Sequence, residues 1–165
     1  TNFDLAGFVV GTTIDKGKDT KVQSGDLLIG LPSSGPHSNG FSLLRKILPL
    51  EDIPLNPTRI YVKEILEHHH LIRNCAHITG GGLIENIPRM LDEKEYELDT
   101  NVLDTKQDTW WANLFWKCTG ENKMNMRDFL TVFNGGYGMV LTISPNNWQE
   151  YQYHYTDAKK IGIVK

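Results

Sequence analysis

Apolar positions fall into short runs separated by polar, glycine-rich breaks, and the period of the runs changes along the chain. Residues 5–14, LAGFVVGTTI, carry β-branched side chains without helical spacing and predict a buried strand. Residues 15–25 are polar and predict a loop, and DLLIGL (26–31) predicts a second buried strand. The period then changes. Phe41, Leu44 and Leu48 recur at i, i+3 and i+7, with Leu43 and Ile47 widening the stripe, which predicts a helix. In NPTRIYVKEILEHHHLI, Asn56 is placed as an N-cap and Pro57 at the first helical position, and Ile60, Val62, Ile65 and Leu66 supply the apolar face. AHIT (76–79) predicts a short strand that three glycines end. Leu83, Ile84, Ile87 and Leu91 resume helical spacing, with Pro88 set to kink or shorten the helix.

Residues 92–108 read as a long polar loop with room for one edge strand. Thr109 caps a helix whose stop is Gly120 and whose face carries Trp111, Leu114, Phe115 and Cys118. A short helix over 125–133 ends at Asn-Gly-Gly, and GMVLTIS follows as a strand. Ser144-Pro145 opens a last helix on which Trp148, Tyr151 and Tyr155 align, and KIGIVK closes as a strand. Strands and helices are interspersed without regular βαβ spacing. The pattern therefore predicts an α+β fold, a mixed β-sheet packed by helices, in one domain over 1–165.

Composition narrows the function classes. Hydrophobic residues make up 39% and charged residues 22%, the balance of a chain with a packed core. The net charge of −3 argues against an extended nucleic-acid surface, so no nucleic-acid partner is expected. Cys75 and Cys118 lie far apart in no metal-type spacing, which fits a reducing, cytoplasmic setting without disulfides. No apolar run is long enough to span a bilayer, so no membrane partner is expected. The chain opens without Met, directly on a strand pattern, and reads as a piece of a longer polypeptide.

Three glycine-rich breaks could carry chemistry. The first is Ser33-Ser34-Gly35-Pro36-His37-Ser38-Asn39-Gly40, between a strand and a helix. Such a junction offers backbone N–H groups and hydroxyls to a phosphate or carboxylate, and His37 can move a proton near neutral pH. A merely capped turn, with Ser38 or Asn39 as cap, explains the same residues about as well. The second break is HITGGGL. It lacks both the dinucleotide fingerprint and the Lys of a Walker A loop, so it is a weak phosphate signal beside a plain turn. His77, in an apolar strand, reads as a core histidine. The third, FNGGYGM, reads as a tight turn or as a turn whose backbone approaches a ligand. His68, His69 and His70 are consecutive, so on a helix they diverge and do not share a metal; no metal site is expected. The Trp and Tyr stripes lack the basic interleaving of a base-stacking platform.

Taken in order, DLAGFVVG, GDLLIGLPSSGPHSNGFSLLRKIL, NPTRIYVK, AHITGGGLIENIPRML, FNGGYGMVL and KIGIVK resemble the C-terminal domain of the phosphoribosylformylglycinamidine cyclo-ligase (aminoimidazole ribonucleotide synthetase) family. The resemblance runs from Asp4 to Lys165 and is weakest in 15–23, 49–55 and 92–128. It implies an ATP-dependent ring closure in purine synthesis, with formylglycinamidine ribonucleotide as substrate. It also implies a preceding domain that supplies most contacts to ATP and Mg²⁺ and the main homodimer interface; without it, this chain is expected to be inactive or nearly so. On that reading His37 is the candidate for proton transfer. Ser34, Gly35, Ser38, Asn39, Asn86 and Arg59 would face the substrate, and Thr79, Gly80, Gly81 and Gly82 would cradle a phosphate. One departure stands out: the family commonly has Cys where this chain has Gly135. The competing expectation is a non-catalytic phosphate- or nucleotide-binding module that acts in assembly.

Overall fold

The strands expected from DLLIGL and GMVLTIS lie side by side in the interior of the sheet, covered on both faces. In a computed structural model of the chain, residues 6–12, 21–99, 101–103, 109–122 and 124–165 are described. Five strands form one sheet: β1 (Leu27–Pro32), β2 (Ile72–His77), β3 (Tyr96–Leu98), β4 (Tyr137–Ile143) and β5 (Lys159–Val164), in the order β2-β4-β1-β5-β3. The α+β class is as expected. Within it every pairing is antiparallel where a mixed sheet was expected, because no helix carries the chain from one strand to a hydrogen-bonded parallel neighbour.

Side-chain alternation splits the core in two. Leu28 of β1 and Val140 of β4 face a layer of helices: α1 (Phe41–Ile47), α3 (Gly82–Asn86), α4 (Trp110–Asn122) and α5 (Met126–Val132). Leu44, Leu83, Phe115, Phe129 and Phe133 fill that side. Ile29, Leu31, Met139, Leu141 and Ile143 face the other side, under α6 (Pro145–His154), whose Tyr151 is fully buried, and the segment around α2 (Val62–Leu66).

Several local expectations change. The strand expected over 5–14 does not form: residues 6–12 belong to no strand, and Phe8, Val9 and Val10 are 95, 93 and 86% exposed. Residues 5, 13 and 14 lie outside the described residues. An apolar run states that burial is favourable without naming its partner, and no strand in the described sheet has taken it up. Asn56 is not an N-cap. Its amide Nδ2 donates to the Ser34 carbonyl (2.9 Å), and the Pro57 carbonyl accepts from Ser34 Oγ (2.6 Å), so this stretch is tied to a neighbouring loop and the helix begins only at Val62. The strand expected over 76–79 is displaced to Ile72–His77. The helix after Gly82 tightens into a 3₁₀ turn at Ile87–Met90, where Pro88 withholds an N–H. Gly120 does not stop α4, which continues to Asn122. Thr109 Oγ1 does accept from the Ala112 N–H (3.2 Å), as a cap should.

Candidate functional site

β1 and β2 end, and β4 begins, at one end of the sheet, and the three glycine-rich breaks gather there. The Ser33 N–H donates to the Gly136 carbonyl (2.8 Å), and the Ile78 N–H donates to the Gly138 carbonyl (2.9 Å), so each neighbouring loop is pinned to the start of β4. Gly80 lies so near Asn39 that a Cβ there would stand 3.7 Å from Asn39 Oδ1. Gly40 is the N-cap of α1, with φ of 77°, and a Cβ there would overlap the Phe133 ring; neither Ser38 nor Asn39 caps the helix.

Two buried asparagines hold this arrangement. Asn134 (1% exposed) donates from Nδ2 to the Gly35 carbonyl (2.9 Å) and accepts at Oδ1 from the Gly136 N–H (2.9 Å). It ties the serine–histidine loop to the Asn-Gly-Gly turn. Asn86 (2% exposed) donates to the carbonyls of Gly82 (2.8 Å) and Gly80 (3.2 Å), and its Oδ1 accepts from Thr79 Oγ1 (3.3 Å) and Arg89 Nη1 (3.1 Å). It therefore shapes the triple-glycine loop from behind. Gly82 is buried and its N–H already donates to the Thr79 carbonyl (3.0 Å), so the loop's remaining donors are Gly80 and Gly81.

His37 is 8% exposed and holds a left-handed backbone, φ 53°, uncommon for a residue with a Cβ. Its Nε2 accepts from the Ser34 N–H (3.2 Å), while Nδ1 is buried with no partner among the described residues. Burial, and then the nearby His77, push the His37 imidazole below its ordinary pKa. His37, Tyr61 and His77 form a triangle of rings with centroids 6.3–6.4 Å apart, and the first two close over Gly138. The Tyr61 hydroxyl donates to the Pro32 carbonyl (2.8 Å), and burial pushes its pKa up to about 12.

Arg59 is not a loose cation. It pairs with Asp157 (2.8 Å) and Glu64 (2.9 Å), donates to the Pro32 carbonyl (3.3 Å) and lies over the Tyr61 ring. Beside it lies a cavity of about 360 Å³, walled by Arg59, Tyr61, Met139 and His77, with exposed Ile60, Val62 and Leu66 at its rim. A second cavity of about 420 Å³ lies on the other flank of the serine–histidine loop, against Ser33, Ser34, Asp52 and Trp110. Ser38 is exposed and Asn39 half-buried beside Gly80, so these two present polar atoms outward, while the Ser34 hydroxyl is spent on Pro57.

Residues 23–165 match the family described as AIR synthase related protein, C-terminal domain. The chain belongs to this family. A phosphoribosylformylglycinamidine cyclo-ligase from Bordetella avium (strain 197N) is 41% identical over an alignment of 165 residues that takes in 86% of this chain and 45% of the relative. The chain thus spans less than half the length of the curated relative it matches. The AIR synthase-related domain found here is an α+β fold with an antiparallel sheet, as its element order shows.

Sequence reasoning missed three residues of this site in the AIR synthase-related domain. Tyr61 was not singled out, lying between Ile60 and Val62 in a stretch read only for its apolar face. His77 was expected in the core and is instead exposed on the cavity wall. Asn134 was read only as half of a turn, although an Asn directly before Gly-Gly is a side chain well placed to bond the turn it enters. Among the described residues no three His, Cys, Asp or Glu side chains gather to hold a metal, and no helix is long and apolar enough to cross a membrane. Cys75 and Cys118 are not joined by a disulfide.

Proposed function

We propose that this chain is the substrate-side half of an ATP-dependent cyclo-ligase that closes formylglycinamidine ribonucleotide to aminoimidazole ribonucleotide in the cytoplasm. The observation that carries this reading is the convergence of the three glycine-rich loops at one end of the sheet, in a family whose relative bears that name. ATP would supply a phosphoryl group that activates the formyl amide oxygen, so that an internal nitrogen can close the ring. The Gly80 and Gly81 N–H groups would hold phosphate oxygens, while Thr79 gives its hydroxyl proton to Asn86 Oδ1 behind them. Gly35, Ser38 and Asn39 would line the substrate beside them. Asn86 and Arg59 act behind the site: Asn86 fixes the glycine loop, and Arg59, held by two carboxylates, braces Tyr61 and Pro32.

Mg²⁺ and most of the nucleotide contacts belong, on this reading, to a preceding half of the same polypeptide, since the carboxylates needed for a hard cation do not cluster among the described residues. That half would also supply the homodimer interface. The exposed apolar side chains Phe8, Val9, Val10, Ile60, Val62 and Leu66 are the surface assigned to it. The test compares this chain alone with the full-length polypeptide. Phosphate and ring-closed product should form with ATP and formylglycinamidine ribonucleotide only in the full-length protein. Full-length protein that folds, binds ATP and forms neither product would overturn the reading in favour of an assembly module.

A further inference from the structure

We propose that proton transfer at this site belongs to His77, and that His37 is a sealed, neutral positioning residue. The chemistry is that of the cyclo-ligase reading above; the assignment comes from geometry. An N–H can donate only to a lone pair. The Ser34 N–H points at His37 Nε2 (3.2 Å), so Nε2 carries no proton, and the neutral ring carries its proton on Nδ1. Nδ1 is buried without a partner. His37 therefore cannot accept a proton at Nδ1, which already holds one. Accepting at Nε2 would set one N–H against another. Rotating the ring by half a turn would replace Nε2 with a carbon and strand the Ser34 donor. With Nδ1 buried and unpartnered and a left-handed backbone, His37 is held in place by its surroundings for a positional purpose.

His77 differs on each count. It is exposed, it walls the cavity of about 360 Å³, and it precedes the triple-glycine loop by only Ile78 and Thr79. The groups facing it are His37 from the serine–histidine loop, and Tyr61 and Arg59 from the stretch before α2. The Tyr61 hydroxyl is committed to Pro32, and the Arg59 charge is met by Glu64 and Asp157. That leaves His77 as the ring of the triangle that can exchange a proton with the cavity. In the ring closure, the attacking nitrogen forms the new C–N bond and loses a proton to neutral His77. The C–O bond to the phosphoryl group breaks and phosphate leaves with that electron pair. His77, now an imidazolium, returns its proton to water.

The test uses full-length protein. His77→Ala should lose turnover by about 100-fold or more, and free imidazole should restore part of it. His37→Ala should also lose turnover, but imidazole should not restore it, because the position is sealed. His37→Gln should recover part of that loss, since its Oε1 can accept the Ser34 N–H in the place of Nε2. His77→Gln, at the same exposed position, guards against a folding defect and should behave like His77→Ala. Imidazole rescue of His37→Ala, or His77 variants within about threefold of wild type, would overturn the assignment. Nitrogen-15 imidazole spectra give a readout independent of turnover. At neutral pH His37 should be one neutral tautomer, protonated at Nδ1. A His37 protonated on Nε2 at neutral pH sinks the assignment even if no turnover is found. A wild type without cyclo-ligase turnover sinks only the proposed function.

Discussion

Gly138 is the position where a single methyl group should do the most visible damage. Its φ is not left-handed, so the backbone itself accepts alanine, and a strand ordinarily gains from that exchange. The obstacle is space. A Cβ at 138 would overlap both the Tyr61 hydroxyl and His37 Cε1. Tyr61 is 4% exposed and cannot swing into solvent without leaving the core of the second face. Overpacking of this kind costs about 1–3 kcal/mol. Displacing the hydroxyl also breaks its bond to the Pro32 carbonyl (2.8 Å), a further ~0.5–1.5 kcal/mol. The sum is about 2–4 kcal/mol, which for a chain of this size lowers Tm by roughly 5–15 °C. Thermal and urea unfolding of Gly138→Ala measure it. The cause is isolated by repeating the substitution in a Tyr61→Phe background, where the nearest obstructing atom is gone. Gly138→Ala should then cost less by about 1–2 kcal/mol. A Gly138→Ala protein within about 0.5 kcal/mol of wild type, or an equal loss in both backgrounds, refutes the claim that Tyr61, His37 and Gly138 form one close-packed unit.

Asn86→Ala should cost about 1–3 kcal/mol, because it strands the Gly82 and Gly80 carbonyls, and amide exchange should rise first at Gly80 and Gly81. Asp26 is 2% exposed and pairs with Arg73 (3.0 Å), so Asp26→Ala should cost about 3–5 kcal/mol by urea unfolding, whereas Lys63→Ala, which breaks only an exposed pair with Glu67, should stay within about 0.5 kcal/mol. Stability should also decline on acidification. His37, through burial and then His77, and His68, through burial and then His154 and His70, are both held below the ordinary 6.5. The unfolded chain takes up protons that the fold refuses, so stability is full above about 6.5 and is lost as pH falls below it. Urea midpoints at about pH 7.5 and 5.5 should show the decline, and His37→Asn should flatten it; a midpoint that rises on acidification contradicts the sign.

What was legible in the sequence was whatever depends on local period. β1, α1, α4, α5, β4 and α6 fall where their apolar spacing puts them, because a buried face imposes its repeat on the residues that make it. What was not legible depends on partners far along the chain. Asn56 is a reasonable cap by type, yet Ser34, 22 residues away, claims its amide. LAGFVVG reads as a strand, but a strand exists only against a neighbour. The candidate site shows the same division. Its glycine loops announced themselves, and the serine–histidine loop drew attention to His37. The ring's actual state follows from Ser34 N–H and from the closure of Tyr61 and Gly138 over it, contacts that no spacing rule contains.

The tether at Asn134 also bears on how the protein ages. Asn followed by Gly is the pair most prone to lose its amide nitrogen, because an unhindered Gly nitrogen can attack the side-chain carbonyl. Here the pair is buried, and the Asn134 amide is engaged with Gly35 and Gly136, which holds it out of the attacking geometry. At Asn134 the fold thus shelters this bond. Each excursion to the unfolded chain removes that shelter. An aspartate formed at 134 would return to the same place as an anion facing the Gly35 carbonyl, with no N–H left to give. The joint that brings two of the three loops together therefore doubles as a clock, running only while the protein is unfolded.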